Sequence, residues 1–227
     1  MPYNSKLGPG FPILRLKQRN LAMLTTTLIV DDFFDDPLAL RRTMLDMDYP
    51  EARRDANYPG RDSAQQLKLP GIGRLVSDPT GEKVVESTLQ SHCHARISMA
   101  ADDLARKYTV HIDPGVVWSA IIYMNLPEQC QGGTEFFRHK ATNMERAPVH
   151  PEELAEMGVH NYFEGGSKII KDDSNDLTKW EKTMTIPMRF NRLILLRPWY
   201  FHTSGASFGD NKENGRLVFL MFFKGVG

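Results

Sequence analysis

Cysteine is nearly absent from this chain, with Cys93 and Cys130 the only two among 227 residues. Two thiols cannot build the disulfide framework of a small secreted domain, which points to a reducing compartment. Long apolar runs are missing as well: the longest, over residues 21–30, contains three threonines and is too short to span a bilayer. The opening residues Met1-Pro2-Tyr3-Asn4-Ser5-Lys6 lack the apolar core of a signal peptide. Neither sign of charge is in excess, with 28 Lys and Arg against 28 Asp and Glu. No global field therefore recruits nucleic acid or an anionic membrane. Repeats and low-complexity tracts are also absent. What is present is an ordinary globular composition, 41% hydrophobic and 25% charged. The expectation is a soluble cytoplasmic protein of one large domain, without nucleic-acid or membrane partners.

Residues 24–30 are rich in Thr, Leu, Ile and Val, as a strand is. Asp36-Pro37 then offers a cap and a first-turn proline ahead of a helical stripe at Leu38, Leu40, Met44, Leu45 and Met47. Residues 49–80, dense in Pro, Gly, Asp and Arg, read as a long surface loop, followed by a helix over 82–89 and a strand over 93–99. The β signal strengthens at 108–113, which stops at Pro114-Gly115, and residues 116–125 form an almost unbroken apolar strand. Gly132-Gly133 marks a turn before a short strand at 134–137. Residues 138–185 are polar and charged, with one helix expected at Pro151–Met157. Strands return at 193–196, 199–202 and 216–223. Trp118 and Tyr123 fall out of phase and should project from opposite sheet faces. The pattern predicts a mainly β fold with flanking helices, a double-stranded β-helix of the jelly-roll or cupin-like kind. Residues 1–92 would support a 93–227 core within a single domain over 1–227, and 138–185 would be an insertion and candidate lid.

Three separated stretches are chemically complementary: His111-Ile112-Asp113, His202 after Trp199-Tyr200-Phe201, and Arg216 at the head of an apolar strand. Two imidazoles and one carboxylate form the facial set that holds Fe(II) with coordination positions left open. On a strand, positions 111 and 113 share a face, so both can reach one ion. The triplet alone is weak, because seven histidines are expected to give roughly one His-x-acid match by chance. A second match, His150-Pro151-Glu152, reads instead as the acidic first turn of a helix. His92 and His94 share a strand face but have no third ligand nearby in sequence, so they read as structural. Arg216 suits a carboxylic acid, because a guanidinium grips a carboxylate in a two-pronged geometry that lysine cannot copy.

With these residues in place, the chain resembles the Fe(II)/2-oxoglutarate-dependent oxygenases, particularly the prolyl-hydroxylase-like branch. The resemblance rests on His111-Ile112-Asp113, Tyr123-Met124-Asn125, Gly132-Gly133-Thr134, the block Asn191-Arg192-Leu193-Ile194-Leu195-Leu196-Arg197-Pro198 leading to His202, and Arg216 fourteen residues later. It spans about residues 93–227 in order and 24–45 more loosely. The resemblance implies Fe(II) on His111, Asp113 and His202, with 2-oxoglutarate and O2 as co-substrates. It also implies that Arg216, with Tyr123 as second anchor, fixes the far carboxylate of 2-oxoglutarate. Relatives with Arg-x-Ser supply a hydroxyl that Arg216-Leu217-Val218 lacks, which favours Tyr123 in that role. The implied reaction is oxidation of a C–H bond, hydroxylation foremost, in a small amino-acid-like metabolite or peptide-linked residue, with succinate and CO2 released. Asp113 argues against halogenation, which needs a small residue there. Arg61, in a Tyr58-Pro59-Gly60-Arg61 turn, and Arg138 with His139 are the candidate substrate contacts. Desaturation or ring closure at the same iron, and a non-catalytic jelly roll that binds ligand, are the competing readings.

Overall fold

A computed structural model describes residues 25–51, 58–88, 91–105 and 109–226. Leu24, Leu89 and Tyr108, which bounded expected elements, lie outside the described residues, as does the opening hexapeptide. In chain order the elements are β1 (Thr27–Val30), α1 (Pro37–Asp46), β2 (Arg61–Asp62), α2 (Ile72–Thr80), β3 (Val84–Glu86), β4 (His94–Ser98), β5 (Trp118–Tyr123), β6 (Gly133–His139), α3 (Pro151–Met157), α4 (Tyr162–Asp173), β7 (Trp180–Pro187), β8 (Arg192–Leu196), β9 (His202–Thr203) and β10 (Arg216–Gly225).

The long strand β10 organises the larger sheet. Its first half pairs with β4, its end with β3, and its other edge with β5. The sheet runs β1-β8-β5-β10-β4-β2, and β7-β6-β9 form the smaller one. Every pairing is antiparallel. Because side chains alternate along a strand, β10 serves two cores at once. Leu217, Phe219, Met221 and Phe223 pack with Trp118, Ala120 and Ile122 beneath Met44 of α1 and Ile72 and Val76 of α2. Val218 and Leu220 pack with Tyr123, Ile194 and Leu196 against Phe136 and Ile186 of the smaller sheet. A third core, on Ile112, Phe137, Phe201 and Trp180, lies under Ile169 and Ile170 of α4. Two antiparallel sheets closed face to face, with helices outside, make a jelly roll.

Several local expectations are corrected. The supposed loop at 49–80 contains β2 and α2. That helix is bracketed by Gly71 and Gly81, both left-handed, and buries Ile72 and Val76, so its glycine punctuation marks helix ends. No helix covers 82–89 within the described residues; Val84 and Val85 instead pair with the end of β10. Only His202–Thr203 is strand in the 199–202 stretch, since Tyr200 N–H closes a turn on the Arg197 carbonyl at 3.2 Å. The 138–185 segment holds α4 and β7 in addition to the expected helix.

Gly60 lies in the left-handed region at φ 89°, where a side chain is strained. A Cβ there would sit 2.3 Å from the Ile97 carbonyl oxygen and 2.7 Å from Ser98 Cβ. Gly60→Ala is therefore expected to cost about 2 kcal/mol or more through backbone strain and overpacking. Urea unfolding tests this, and an unchanged midpoint would contradict the close approach described.

Candidate metal centre

The His111–Asp113 segment is not a laddered strand. It touches the sheet through one antiparallel bridge, His111 to His202, in which the two main chains exchange hydrogen bonds of 2.9 and 3.0 Å. The partner strand β9 is two residues long, so no ladder can extend. Asp113 N–H donates to the Pro198 carbonyl at 2.9 Å. The corner carrying Pro198 is fixed by Arg197, whose guanidinium lies 3.9 Å from the Trp118 ring and pairs with the Glu82 carboxylate. From the other side α4 braces the segment. Tyr162 hydroxyl donates to the Asp113 carbonyl at 3.0 Å, and Ser174 hydroxyl to the Val110 carbonyl at 2.8 Å. Gly166 faces Ile112 so closely that a Cβ would fall 2.4 Å from Ile112 Cδ1.

These constraints bring three donors together. The ligand atoms of His111, Asp113 and His202 lie within 4.8 Å of one another. His202 Nε2 is 3.5 Å from Asp113 Oδ2, and His111 Nε2 is 3.9 Å from Oδ1. Adjacent ligands of an octahedral ion with ~2.1 Å bonds are about 3 Å apart, so small side-chain rotations suffice. The tautomers also suit a metal. His111 Nδ1 lies 3.2 Å from the Thr109 carbonyl oxygen and His202 Nδ1 lies 2.7 Å from that of Tyr200. A carbonyl only accepts, so each Nδ1 carries a hydrogen, and once a ring is neutral its Nε2 offers the lone pair to an ion; without an ion, His202 Nε2 faces Asp113 and competes for a proton. Burial pushes Asp113 up, but the His202 hydrogen bond and charge, the charge of His111 and the Ser119 hydroxyl outweigh it and hold the carboxyl at about 2. Burial pushes His202 down, while its hydrogen bond to Asp113 and that carboxylate's charge raise it further, for a net rise.

Ser119, which donates to Asp113 Oδ2 at 2.6 Å, is a residue the sequence reading missed. Its only signal was a hydroxyl within an apolar strand.

Arg216 is buried and lines the same cavity as His111, Asp113 and His202, an open space of about 690 Å³. Asn125 sets its backbone: the side-chain amide donates to the Gly215 carbonyl and accepts from Leu217 N–H, both at 2.8 Å. The Tyr123 ring lies under the Arg216 guanidinium, 5.8 Å from its central carbon, while the hydroxyl is turned to Thr134. Its hydroxyl is engaged by the Thr134 hydroxyl at 2.7 Å and accepts from Thr134 N–H at 2.8 Å, and the side chain is not among the described cavity walls. Ser98, paired with Arg216 across the β4–β10 register, does line the cavity.

None of the three expected substrate contacts is among the described walls of this cavity. Arg61 is absent from the described cavity walls, and its neighbour Asp62 takes the opposite strand face to pair with Arg96, which does line the cavity. Arg138 stands in a separate groove, drawn by Glu145 at 3.3 Å and Glu181 at 3.8 Å. Both His139 nitrogens are occupied, by Asp173 at 2.9 Å and Thr142 at 3.0 Å, with the ring on Trp180.

A second donor cluster, Glu86, His92 and Cys93, fails the tautomer criterion. His92 Nδ1 accepts from Phe222 N–H at 2.9 Å, so the hydrogen of its neutral ring sits on Nε2, the nitrogen facing Glu86 and Cys93. His94 Nδ1 lies 2.7 Å from the Ser63 carbonyl oxygen. His150 precedes α3, where Glu153 accepts from its N–H at 3.2 Å. No helix among the described residues is long and apolar enough to cross a membrane.

A family profile described as a family of unknown function (DUF6445) matches residues 14–223. No curated protein matches the chain. Among solved structures, similarity is found to the non-heme alpha ketoglutarate dependent carbocyclase SnoK from nogalamycin biosynthesis, at 12% identity and a TM-score of 0.49, covering 88% of this chain and 80% of that one.

Replacing Ser119 by Ala is expected to weaken Fe(II) or Mn(II) binding about 10- to 100-fold, because it frees the carboxylate to rotate. His111→Ala or His202→Ala should abolish binding, whereas His150→Ala should leave it unchanged. Calorimetric titration of the four variants is the measurement; equal loss in all would dissolve the site. Binding should also strengthen with rising pH. His202 must shed a proton to ligate, and its raised value places that competition above the ordinary 6.5. Affinity that is flat through this window would contradict His202 as a ligand.

Proposed function

We propose that this chain, which belongs to the DUF6445 family of unknown function, is a non-haem Fe(II)/2-oxoglutarate-dependent oxygenase that hydroxylates a C–H bond in a small amino-acid-like metabolite or peptide-linked residue. One observation carries the reading: two imidazoles with metal-competent tautomers and one ionised carboxylate converge in a cavity whose wall holds a buried arginine. The donor set fits a ferrous ion and leaves half its coordination sphere to other ligands.

When bound with 2-oxoglutarate and O2, that ion supplies oxidative decarboxylation, to succinate and CO2, coupled to C–H oxidation. The rest of the work falls to this chain's side chains. Asp113 stays ionised despite burial and contributes one negative charge to offset the ion's two. Ser119 holds that carboxylate in one rotamer. The carbonyls of Thr109 and Tyr200 lock the imidazole tautomers. Arg216 takes the far carboxylate of 2-oxoglutarate in a two-pronged grip. Ser98, across the ladder, offers the hydroxyl that the Arg-Leu-Val sequence lacks. Ile121, Val218, Leu220 and Phe222 give the same space an apolar wall.

Arg216→Ala is expected to weaken 2-oxoglutarate binding by about 3 kcal/mol, roughly a hundredfold, by leaving a carboxylate in a low-dielectric cavity without its cation. Anaerobic titration of the Fe(II) protein with 2-oxoglutarate, followed by charge-transfer absorption, measures this directly. An unchanged affinity would remove Arg216 from the co-substrate site. Succinate release no higher than that of the metal-free protein, across amino acids and peptides, would sink the oxygenase assignment itself.

A further inference from the structure

Beside the metal centre lies a second cleft of about 1400 Å³ of open space. Tyr58, His111 and Pro114 form one described wall, and Phe163, Lys168 and Lys171 of α4 form the other. Tyr58 and His111 line both cavities, their rings 4.7 Å apart, so the two spaces meet at an imidazole of the metal set.

The helix α4 divides its labour by face. Gly165, Gly166 and Ile169 press on the protein body, while Glu164, Ser167, Lys168 and Lys171 recur at helical spacing along the cleft. Phe163 leaves 45% of its surface exposed there and gives the cleft an apolar wall beside Tyr58. The cations are uncommitted. Lys171 has no hydrogen bond or ion pair with a described residue, and Lys168 reaches only the Gly158 carbonyl, at 3.5 Å. Glu164, one turn before Lys168, would be its natural partner, but its Oε2 accepts from His160 N–H at 2.9 Å instead. Among the described lining residues, two lysines stand against one carboxylate.

We infer that this cleft holds the substrate, and that the substrate carries a carboxylate opposite Lys168 and Lys171 and an apolar or aromatic body against Tyr58 and Phe163. The inference rests on the metal reading above: the co-substrate occupies the Arg216 side, and the substrate approaches the ion from the Tyr58 side.

The test uses the full chain loaded with Mn(II) and 2-oxoglutarate, which binds without turnover, and calorimetry with N-acetylphenylalanine and with its uncharged amide. The carboxylate is expected to bind about tenfold tighter than the amide, since each exposed ion pair contributes roughly threefold. In the Lys168→Ala/Lys171→Ala double variant the carboxylate should fall to the level of the amide, while 2-oxoglutarate affinity stays at wild type. Equal binding of the two probes, binding of neither, or carboxylate affinity unmoved in the double variant overturns the inference. Failure of metal and 2-oxoglutarate to bind at all, with carboxylate discrimination retained by the metal-free chain, would overturn the oxygenase reading and leave the anionic subsite standing.

Discussion

The pair of main-chain hydrogen bonds between His111 and His202 is the constraint on which the site depends. The two residues are far apart in sequence, so closing them together carries an entropic cost that one isolated bridge cannot offset. A ladder would spread that cost over many pairs; here neither side extends. The compensation comes from outside the sheets. The Arg197 corner fixes the carbonyl that receives Asp113 N–H, and α4 braces Val110, Ile112 and Asp113 through a hydroxyl, a glycine contact and a tyrosine. The ligand loop is thus held by tertiary packing on two sides and only lightly by β-structure.

Chemical identity then follows from what the far nitrogen of each imidazole does. Residues of the same type, in clusters of similar size, are sorted by a single hydrogen bond. Where the far nitrogen gives its hydrogen to a carbonyl, as in His111 and His202, the near one of the neutral ring can offer a lone pair; where it receives one from an amide, as in His92, it cannot. Burial would neutralise Asp113, and the neighbouring imidazoles and Ser119 reverse that tendency. The centre is electrostatically prepared for a cation by its own backbone.

Much of the architecture was legible because β5, β8 and β10 are buried on both faces and leave nearly continuous apolar runs in the sequence, and the opposed faces of Trp118 and Tyr123 followed from strand parity. α3 was legible through its proline and acidic first turn. α2 and α4 were not, for one physical reason: their glycines are needed for left-handed termini in the first and for close packing in the second, and glycine reads as loop. The three candidate donors, His111, Asp113 and His202, were picked out by spacing and type, and the fold brings them together. Their supports were not, since Ser119 acts through a side-chain hydrogen bond and Ser98 through cross-strand register, neither visible along the chain. For Arg138 and His139, adjacency to a motif carried no information about side-chain partners, which are Glu145 and Glu181 for the first and Asp173 and Thr142 for the second.

The two-faced character of α4 has a consequence for substitution. One side of the helix packs on the His111–Asp113 segment through residues that must be small, while on its other side Glu164 caps the helix start and Lys168 and Lys171 reach into the cleft. Substitutions along the cleft-facing row can therefore change the chemistry of that wall while the packing behind His111, Ile112 and Asp113 stays as it is.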